Sequence, residues 1–513
     1  MISKKIYIPG SIKELRNLTE ILSDSFIIQP ERVNTRLHRF YDTFDWRLFN
    51  SGYYLISDKN RLSLTRFDSE SAEIELNFKV TGNPVKWSDF PEGEFRALIH
   101  NFISVRALIP SPEFKVSAKV IRFLNKDRKI VARLVLDTIS VDTGSKKAIK
   151  LRILKIQPVK GYSKELQKVL KVLRQLKFAE EEAHTYFFIH EMLGIKPGSY
   201  TSKSIPVFSP DMKSRDAIKL IISEALNTIN LNEQGITEDI DTEFLHDFRV
   251  SARRARSITA QFRDVFDETT ASKLKKDLSY LGKLSNNLRD LDVYLLKKDR
   301  LRSLLPSNLS IHLEYLFRIM KRERGAEHKK IVSIIKSEEY KNIIGRWKKY
   351  VSPDYDKTEK PNKLSETGIK KLSGKIIRSE YKRVTKLGRS ITETTPDEEI
   401  HKLRIECKKL RYLLETFVSL FPIGKISELI FRLKVLQDYL GDFNDFAMQQ
   451  ERMNLYMGVL AKKNIKNKMV FAAIGGLTTH LYFEQIRARE AFYKTFREFD
   501  TKLNARLINE ITK

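Results

Sequence analysis

The chain has 513 residues, 41% of them hydrophobic and 31% charged, which excludes a disordered chain and predicts a folded protein with a hydrophobic core. Its 94 Lys and Arg residues outnumber its 65 Asp and Glu residues and give a net charge of +29, which favours an anionic partner such as a polyphosphorylated ligand, nucleic acid or a membrane surface. The single cysteine, Cys407, excludes a disulfide within the chain, and since the N-terminus lacks a signal-peptide core we expect a cytoplasmic protein.

The first 200 residues are predicted to form an antiparallel α+β domain. Several short runs alternate apolar and polar residues with a period of two, as half-buried strands do. Helical patterns at Ser11–Ser23 and Lys164–Leu176 interrupt these runs. The predicted strands are Arg61–Arg66, Ala72–Lys79, Ile130–Leu136 and Ile149–Leu154.

One part of this domain resembles a known family. Tyr41-Asp-Thr-Phe-Asp-Trp-Arg-Leu48 is followed by Gly52-Tyr-Tyr-Leu55 and by a strand that ends in Lys79. These residues resemble the CYTH or triphosphate-tunnel family, over about residues 1–200. The resemblance implies an antiparallel β-barrel, or tunnel, that holds triphosphate and Mg²⁺.

The metal-binding carboxylates of that family are missing from their expected places. The first strand should carry Glu-x-Glu-x-Lys but contains Lys5-Ile-Tyr-Ile8, and the late strand that should supply acids contains Lys150-Leu-Arg152. Lysine and arginine cannot hold Mg²⁺, which prefers carboxylate oxygens. We therefore predict a degenerate barrel that binds anions or only makes contacts. A metal-dependent triphosphatase that uses Glu73 and Glu75 is the alternative.

A linker and a helical region follow. Lys196–Ser214 is rich in proline, serine and lysine, and we assign the linker to residues 201–215. From Asp216 onward the apolar period changes to 3.6, which predicts amphipathic helices. The predicted helices are Ala217–Asn230, Thr242–Phe266, Ala271–Asp299, Leu305–Lys336, Ile369–Leu387, Asp397–Phe421, Lys425–Met457 and Asn464–Leu507.

A polar break at Ser352–Gly368 separates four of these helices from the other four. We predict two four-helix bundles in tandem, residues 216–351 and 369–513, joined by a linker at residues 352–368. The predicted fold class is therefore multidomain α+β. The most apolar run, Met469–Phe483, is shorter than the ~20 residues that span a bilayer, so a buried helix is expected there and no membrane partner.

A basic motif occurs once in each predicted bundle. His246 is followed by bases at +3, +7, +8 and +10, and His401 is followed by bases at the same distances. His401 lies 155 positions after His246, and the same offset relates Arg289-Asp290 to Asn444-Asp445. Two separated motifs with one offset indicate a duplicated unit. Its bases are Arg249, Arg253, Arg254 and Arg256 in the first copy and Arg404, Lys408, Lys409 and Arg411 in the second.

On a helix, the histidine and the bases at +3, +7 and +10 share one face, the base at +8 lies on its flank, and apolar residues occupy the opposite side. Arginine forms forked hydrogen bonds with phosphate, and a nearby phosphate favours the charged form of histidine. The pattern predicts a line of anion-binding cations. Its alternative is an ordinary solvated face.

The acids of the second motif are expected to orient a motif arginine through a salt bridge, with ordinary helix pairing as the alternative. A metal site at Asp290 and Asp445 is not expected, because the neighbouring cations would compete. The start of the second motif helix, Thr395-Pro-Asp-Glu398, predicts a capping box with Thr395 as the N-cap.

The paired motifs resemble the CHAD family, named for a conserved histidine in an α-helical domain, over about residues 210–513. The resemblance implies two four-helix bundles related by a pseudo-twofold axis and a basic groove that binds inorganic polyphosphate without catalysis. One departure, Asn286-Asn287 in place of Gly441-Asp442, is expected to alter a turn and to leave the basic line intact. The implied polyphosphate-binding residues are His246, Arg249, Arg253, Arg254, Arg256, Arg289, His401, Arg404, Lys408, Lys409 and Arg411.

We accordingly predict a polyphosphate-binding protein without catalytic residues, metal or cofactor, located in the cytoplasm and at polyphosphate granules. Nucleic-acid binding is the main alternative, because charge alone permits it. The sequence contains no recognisable nucleic-acid-reading motif and no aromatic stacking platform beside the arginines. Phosphohydrolysis by the N-terminal domain remains the second alternative.

Overall fold

The computed structural model describes residues 6–8, 12–69, 71–142, 148–176, 178–181, 184–202, 204–352, 362–463, 465 and 467–512. The chain divides into two compact units, Met1–Thr201 and Ser202–Lys513. Among the described residues, no helix combines the length and the apolar character that a membrane crossing requires.

Within its described residues, the first unit is built on one antiparallel sheet with five α-helices. The helices are α1 (Ile12–Ser23), α2 (Arg47–Asn50), α3 (Glu94–Ile103), α4 (Ser163–Gln175) and α5 (Thr185–Met192). The strands are β1 (Ile6–Ile8), β2 (Ile27–Pro30), β3 (Asn34–Asp42), β4 (Tyr53–Asp58), β5 (Arg61–Arg66), β6 (Ile74–Asn77), β7 (Ile109–Pro110), β8 (Phe114–Leu124), β9 (Ile130–Val141), β10 (Ile149–Pro158) and β11 (Ala179–Glu181).

The sheet is antiparallel, as predicted, but the prediction of a barrel is wrong for the described residues. The strands follow the order β11-β1-β10-β9-β8-β3-β4-β5-β6, with β2 beside β8 and β7 beside β3. The end strands β11 and β6 do not pair with each other, so the path stays open. The first strand carries no carboxylate at Ile6, Tyr7 or Ile8, and Lys5 lies outside the described residues.

Both faces of the sheet are covered by apolar side chains. Leu134 of β9 and Leu154 of β10 pack with residues of α1 and α4 on one face. Their neighbours Ile139 and Ile153 pack with Tyr186 and other residues of α5 on the other face. Because side chains alternate along a strand, burial on both faces explains the consecutive apolar residues Leu134-Val135-Leu136 of β9 and Ile153-Leu154 of β10.

The second unit is helical. Its first half contains α6 (Ser214–Thr237), α7 (Thr242–Gln261), α8 (Glu268–Leu284), α9 (Asn286–Leu296), α10 (Lys298–Ser303), α11 (Ser307–Ser310), α12 (Leu313–Ile335) and α13 (Glu338–Val351). Its second half contains α14 (Ile369–Arg389), α15 (Asp397–Thr416), α16 (Ile423–Lys462), α17 (Met469–Phe499) and α18 (Lys502–Ile511).

The duplication is visible in the helix bounds. The motif helices α7 and α15 begin and end 155 positions apart. The segment equivalent to the continuous helix α16 is interrupted at Ser285 and Lys297 in the first half, where α8, α9 and α10 meet. The predicted helix Ala271–Asp299 is therefore broken, and the predicted helix Asn464–Leu507 is divided into α17 and α18. The helix α13 lies outside the predicted helices.

The two halves share a hydrophobic core. Leu313, Leu316 and Met320 of α12 are buried in one cluster with Ile474 and Leu477 of α17. Each of these side chains contributes about 1.5–3 kcal/mol on burial. The halves of the second unit therefore depend on each other for stability and differ in this respect from two separately packed bundles.

The two predicted linkers meet each other where they are described. Ser214 N donates to Thr367 O at 2.9 Å, and Ile369 N donates to Met212 O at 2.8 Å. Residues 353–361 of the linker between the halves lie outside the described residues.

The predicted capping box of α15 is wrong. Pro396 occupies the N-cap position of this helix without a side-chain hydrogen bond. The Thr395 hydroxyl instead accepts a hydrogen bond from Thr392 N at 2.7 Å. In the first copy an acid does cap the helix, because Asp241 Oδ1 accepts from Glu243 N at 2.8 Å.

Candidate anion-binding site

The helices α7 and α15 contact each other and turn their apolar faces inward. Phe248 and Ala252 of α7 are buried, as are Leu403 and Leu410 of α15. Gly235 allows α6 to pack closely against α7, since an added Cβ would lie 2.1 Å from Phe244 Cδ1 of α7. The positions of the motif cations on the two helices are thereby fixed by the core.

The cations of the two motif copies converge. Burial, together with the charges of Arg404, Arg253 and Arg411, lowers the pKa of Lys408 to about 7. Burial also lowers the pKa of Arg404, and the Arg253 charge contributes to that shift. Because Arg253 belongs to the first copy and the other three residues to the second, cations of the two copies lie close to one another.

Arg249 is held at the interruption between α8 and α9. Its Nη1 donates to Asn286 Oδ1 at 2.8 Å, to Ser285 Oγ at 3.0 Å and to Gly282 O at 3.4 Å. Burial lowers the pKa of Arg249 to about 10, and Arg253, Arg289 and Arg256 add to the shift. The changed turn of the first copy thus positions a motif arginine and leaves the basic line in place.

The equivalent arginine of the second copy has a different partner. Arg404 Nη2 lies 3.4 Å from Asp445 Oδ1 on the continuous helix α16. Beside it, His401 Nδ1 is hydrogen-bonded to Asn444 Oδ1. These contacts bring the motif of α15 together with the second repeated element.

His246 is neutral at pH 7 in this environment. Burial is the largest cause that lowers its pKa to about 4, and Arg289, Arg253 and Arg249 add to the shift. Arg289 is anchored by Thr242 O at 3.2 Å and by Glu243 Oε1 at 3.5 Å. An anion at this position would oppose the repulsion from the arginines and favour the imidazolium form.

We call the connected set of charges the basic cluster. Eight of the eleven predicted ligand-binding residues belong to it, because each one shifts the pKa of another member or is shifted by one. The cluster consists of His246, Arg249, Arg253, Arg256, Arg289, Arg404, Lys408 and Arg411.

The two predicted orienting acids lie near each other. Burial raises the pKa of Asp290, and the charge of Asp445 adds to this increase. Arg249 and Arg452 act in the opposite direction on Asp290. In addition to its contact with Arg404, the acid pair therefore has a cation on α16 that the sequence reasoning missed.

Arg452 could have been found from the repeat. Lys297 and Arg452 lie seven positions after Asp290 and Asp445, so the offset of 155 residues relates them as well. Arg452 of the second half acts on Asp290 of the first, and Lys297 of the first half acts on Asp442 of the second. Each half therefore places a cation near an acid of the other half, which the sequence alone could not indicate.

The remaining predicted cations on the flank have other surroundings. Lys409 Nζ donates to Glu406 Oε1 at 2.7 Å, and Arg383 of α14 lies 3.5 Å from the same carboxylate. Arg254 lines a pocket formed mainly by α6, α7 and residues 202 and 204–206. Neither residue stands in line with the cations at +3, +7 and +10 of its helix.

Arginine nitrogens in this region have spare hydrogen-bonding capacity. The Nε atoms of Arg253, Arg254 and Arg404 are buried and make no hydrogen bond in the described structure. Buried polar atoms usually have a partner. These donors are therefore suited to an oxygen-rich anion.

Several residues contact the equivalent residue of the other half, which lies 155 positions away in the sequence. The Phe262 and Phe417 ring centroids are 5.3 Å apart. His312 Nδ1 and Asn467 Nδ2 are 3.2 Å apart. Lys213 forms an isolated β-bridge with Gly368.

The described part of the N-terminal unit contains no group of residues that could hold a metal ion. Glu75 Oε1 accepts from Ser63 Oγ at 3.1 Å, and Glu75 Oε2 accepts from Arg61 Nη1 at 3.3 Å. Within the described part of the chain, no group of three or more His, Cys, Asp or Glu residues could hold a metal ion.

Comparison with known proteins gives one family. The family model of the CHAD domain matches residues 220–454. The chain is similar to the crystal structure of the CHAD domain from the plant Ricinus communis, with 21% identity, a TM-score of 0.48 and coverage of 57% of this chain and 95% of that chain. It is also similar to PptA from Streptomyces chartreusis, with 16% identity, a TM-score of 0.42 and coverage of 55% and 97%. No curated protein matches the chain.

Proposed function

Because the chain contains a CHAD domain at residues 220–454, we propose that it binds inorganic polyphosphate through the basic cluster and does not cleave it. The observation that carries this proposal is the convergence of Arg253 with Arg404 and Lys408. Each half supplies cations that repel those of the other, strongly enough to contribute to a Lys408 pKa of about 7. A polyanion that lies across both helices would relieve this repulsion.

An extended chain fits this arrangement better than a compact ligand. The basic cluster draws on α7, α9 and α15, so its charges follow two motif helices rather than one pocket. Phe262 contacts its equivalent in the other half, Phe417. Contacts of this kind between equivalent residues support a pseudo-twofold relation between the halves. Under that relation the two basic faces form one continuous groove, and successive phosphates meet equivalent arginines.

A salt titration tests this proposal. Binding of long-chain polyphosphate should weaken steeply between about 50 and 200 mM salt, as it does where several phosphates exchange counterions for Lys and Arg. Double-stranded DNA should fail to displace polyphosphate at equal phosphate concentration. Displacement by DNA would favour nucleic-acid binding, and a flat salt dependence would contradict a multi-cation groove.

The proposal assigns no hydrolysis to the N-terminal unit. The engagement of Glu75 by Arg61 and Ser63 supports this assignment, since those contacts compete with a metal. Phosphate release from triphosphate with Mg²⁺ or Mn²⁺ should remain at background and should not change in the Glu73→Gln/Glu75→Gln variant. Release that this variant abolishes would instead establish a triphosphatase. We propose a cytoplasmic location that includes polyphosphate granules.

A further inference from the structure

A pocket on α7 lies outside the basic cluster, and we call it the Arg254 pocket. Its space, about 30 Å³, exceeds the roughly 10–15 Å³ that one water requires, so it suits one small group. Hydroxyls and a single arginine dominate its polar lining. The lining residues are Ser202, Ser204, Ile205, Pro206, Ile221, Glu224, Ala225, Thr228, Ser251, Arg254, Ala255 and Thr416.

Two polar atoms of this lining are buried without a hydrogen-bond partner. One is Arg254 Nε and the other is Thr416 Oγ1. Thr416 is only 2% exposed, so its hydroxyl cannot rely on bulk solvent. An unsatisfied buried polar group destabilises the folded protein. Their shared position in one pocket therefore indicates a polar occupant.

The repeat shows what distinguishes this pocket from the equivalent place in the second half. The residues 155 positions after Ala225, Thr228, Ser251 and Arg254 are all charged. They form a closed cluster in which Lys409 Nζ donates to Glu406 at 2.7 Å, and Arg383 lies 3.7 Å from Glu380 and 3.5 Å from Glu406. These residues are Glu380, Arg383, Glu406 and Lys409.

In the first half both acids and one of the two cations of that cluster are absent, and one cation remains. Ala225 stands where the second half has Glu380, Thr228 where it has Arg383, and Ser251 where it has Glu406. Arg254 therefore lacks the carboxylate that holds Lys409, and it forms no ion pair with the described residues. An external anion would supply a partner for its guanidinium.

The carboxylate of Glu224 determines which anion the Arg254 pocket can accept. Glu224 Oε2 already accepts a hydrogen bond from Ser204 Oγ at 3.3 Å, and an ionised carboxylate can only accept further ones. A phosphate group that keeps a proton can donate to this carboxylate. Sulfate and the inner phosphates of a polyphosphate chain carry no such proton near neutral pH and would be repelled.

We propose that the Arg254 pocket binds one protonated phosphate group, with Arg254 and Thr416 as donors and Glu224 as the acceptor. The occupant is free orthophosphate, which keeps at least one proton near neutral pH. Arg254 lies on α7, the helix that also carries the first-copy residues of the basic cluster. The pocket would therefore bind single phosphate groups on the same helix as that cluster. This inference does not depend on polyphosphate binding.

Calorimetric titration of the full chain at pH 7 and constant ionic strength tests the pocket. Orthophosphate should show a saturable binding component that depends on Arg254, and sulfate should show no such component. Arg254→Gln should weaken this component at least tenfold, and so should Ser251→Glu, which supplies the carboxylate of the second half. Lys409→Gln is the matched control and should retain wild-type binding. Glycerol phosphate, which has lost most of its second proton at pH 7, should bind to the pocket more weakly than orthophosphate.

Glu224→Gln tests the selectivity without removing the cation, and it should admit sulfate. The Arg253→Ala variant of the basic cluster should still bind orthophosphate with wild-type affinity. An equal Arg254-dependent component for phosphate and sulfate would overturn the proposal, as would unchanged phosphate binding in Arg254→Gln. Loss of orthophosphate binding in Arg253→Ala would show that the ion belongs to the basic cluster instead.

Discussion

Removal of Lys408 should stabilise the free protein below neutral pH. Burial and three neighbouring arginines depress the pKa of this lysine from 10.5 to about 7. The folded state thus binds fewer protons than the unfolded state between those values, and stability rises with pH across that window. Below pH 7 Lys408 is charged in both states, and its charge lowers the free energy of unfolding by at most about 5 kcal/mol, at roughly 1.4 kcal/mol per pKa unit.

Chemical denaturation between pH 6 and 9 measures this effect. The Lys408→Met variant should be more stable than the wild type at pH 6, and the difference should shrink by up to about 1.4 kcal/mol per pH unit above pH 7. Lys409→Met serves as the control, because Lys409 is paired with Glu406. Identical pH dependence in the wild type and Lys408→Met would refute the claim that the two motif copies repel each other at this lysine.

Three further predictions concern the ligand and the core. Polyphosphate binding should take up protons and strengthen as the pH falls from 7 towards 5, since a polyanion raises the pKa of about 4 at His246; in His246→Gln, calorimetry in buffers of different ionisation enthalpy should record less uptake. Arg452→Met should weaken polyphosphate binding and lower the slope of log K against log salt by about one. Phe262→Ala and Phe417→Ala should each cost about 3–5 kcal/mol in denaturant unfolding, and the double variant should cost less than their sum because the rings touch.

The helical unit could be anticipated from the sequence because its signals are local. The offset between His246 and His401 identifies a duplicated helix, and the structure gives both copies identical bounds relative to it. The break at Ser285 was less predictable, since the apolar period continues across it and only the Asn286-Asn287 departure hinted at a changed turn. That break matters for the site because it holds Arg249.

Contacts between residues far apart in the chain could not be predicted from the sequence. Nothing local indicates that Arg452 acts on Asp290, or that α12 and α17 share a core instead of belonging to separate bundles. The barrel prediction failed for a similar reason. Alternation identifies strands such as β5, but it does not determine whether the two end strands of a sheet meet.

The neutral state of His246 could not be foreseen either. Its spacing from Arg249 and Arg253 places the three side chains on one helix face, but the pKa depends on burial and on Arg289 from another helix. In the free protein this environment lowers the pKa of His246 to about 4.

The most direct test of the polyphosphate proposal compares the wild type with a variant in which His246, Arg253, His401 and Arg411 are all alanine. Lys375→Ala/Lys382→Ala, which removes two exposed cations from α14, is the control for the lost charge. Hydrogen bonds to charged groups contribute about 1.5–3 kcal/mol each, so the fourfold variant should bind long-chain polyphosphate at least 100-fold more weakly while the control binds normally. Unchanged affinity in a folded fourfold variant would contradict the assignment of the basic cluster as the polyphosphate site.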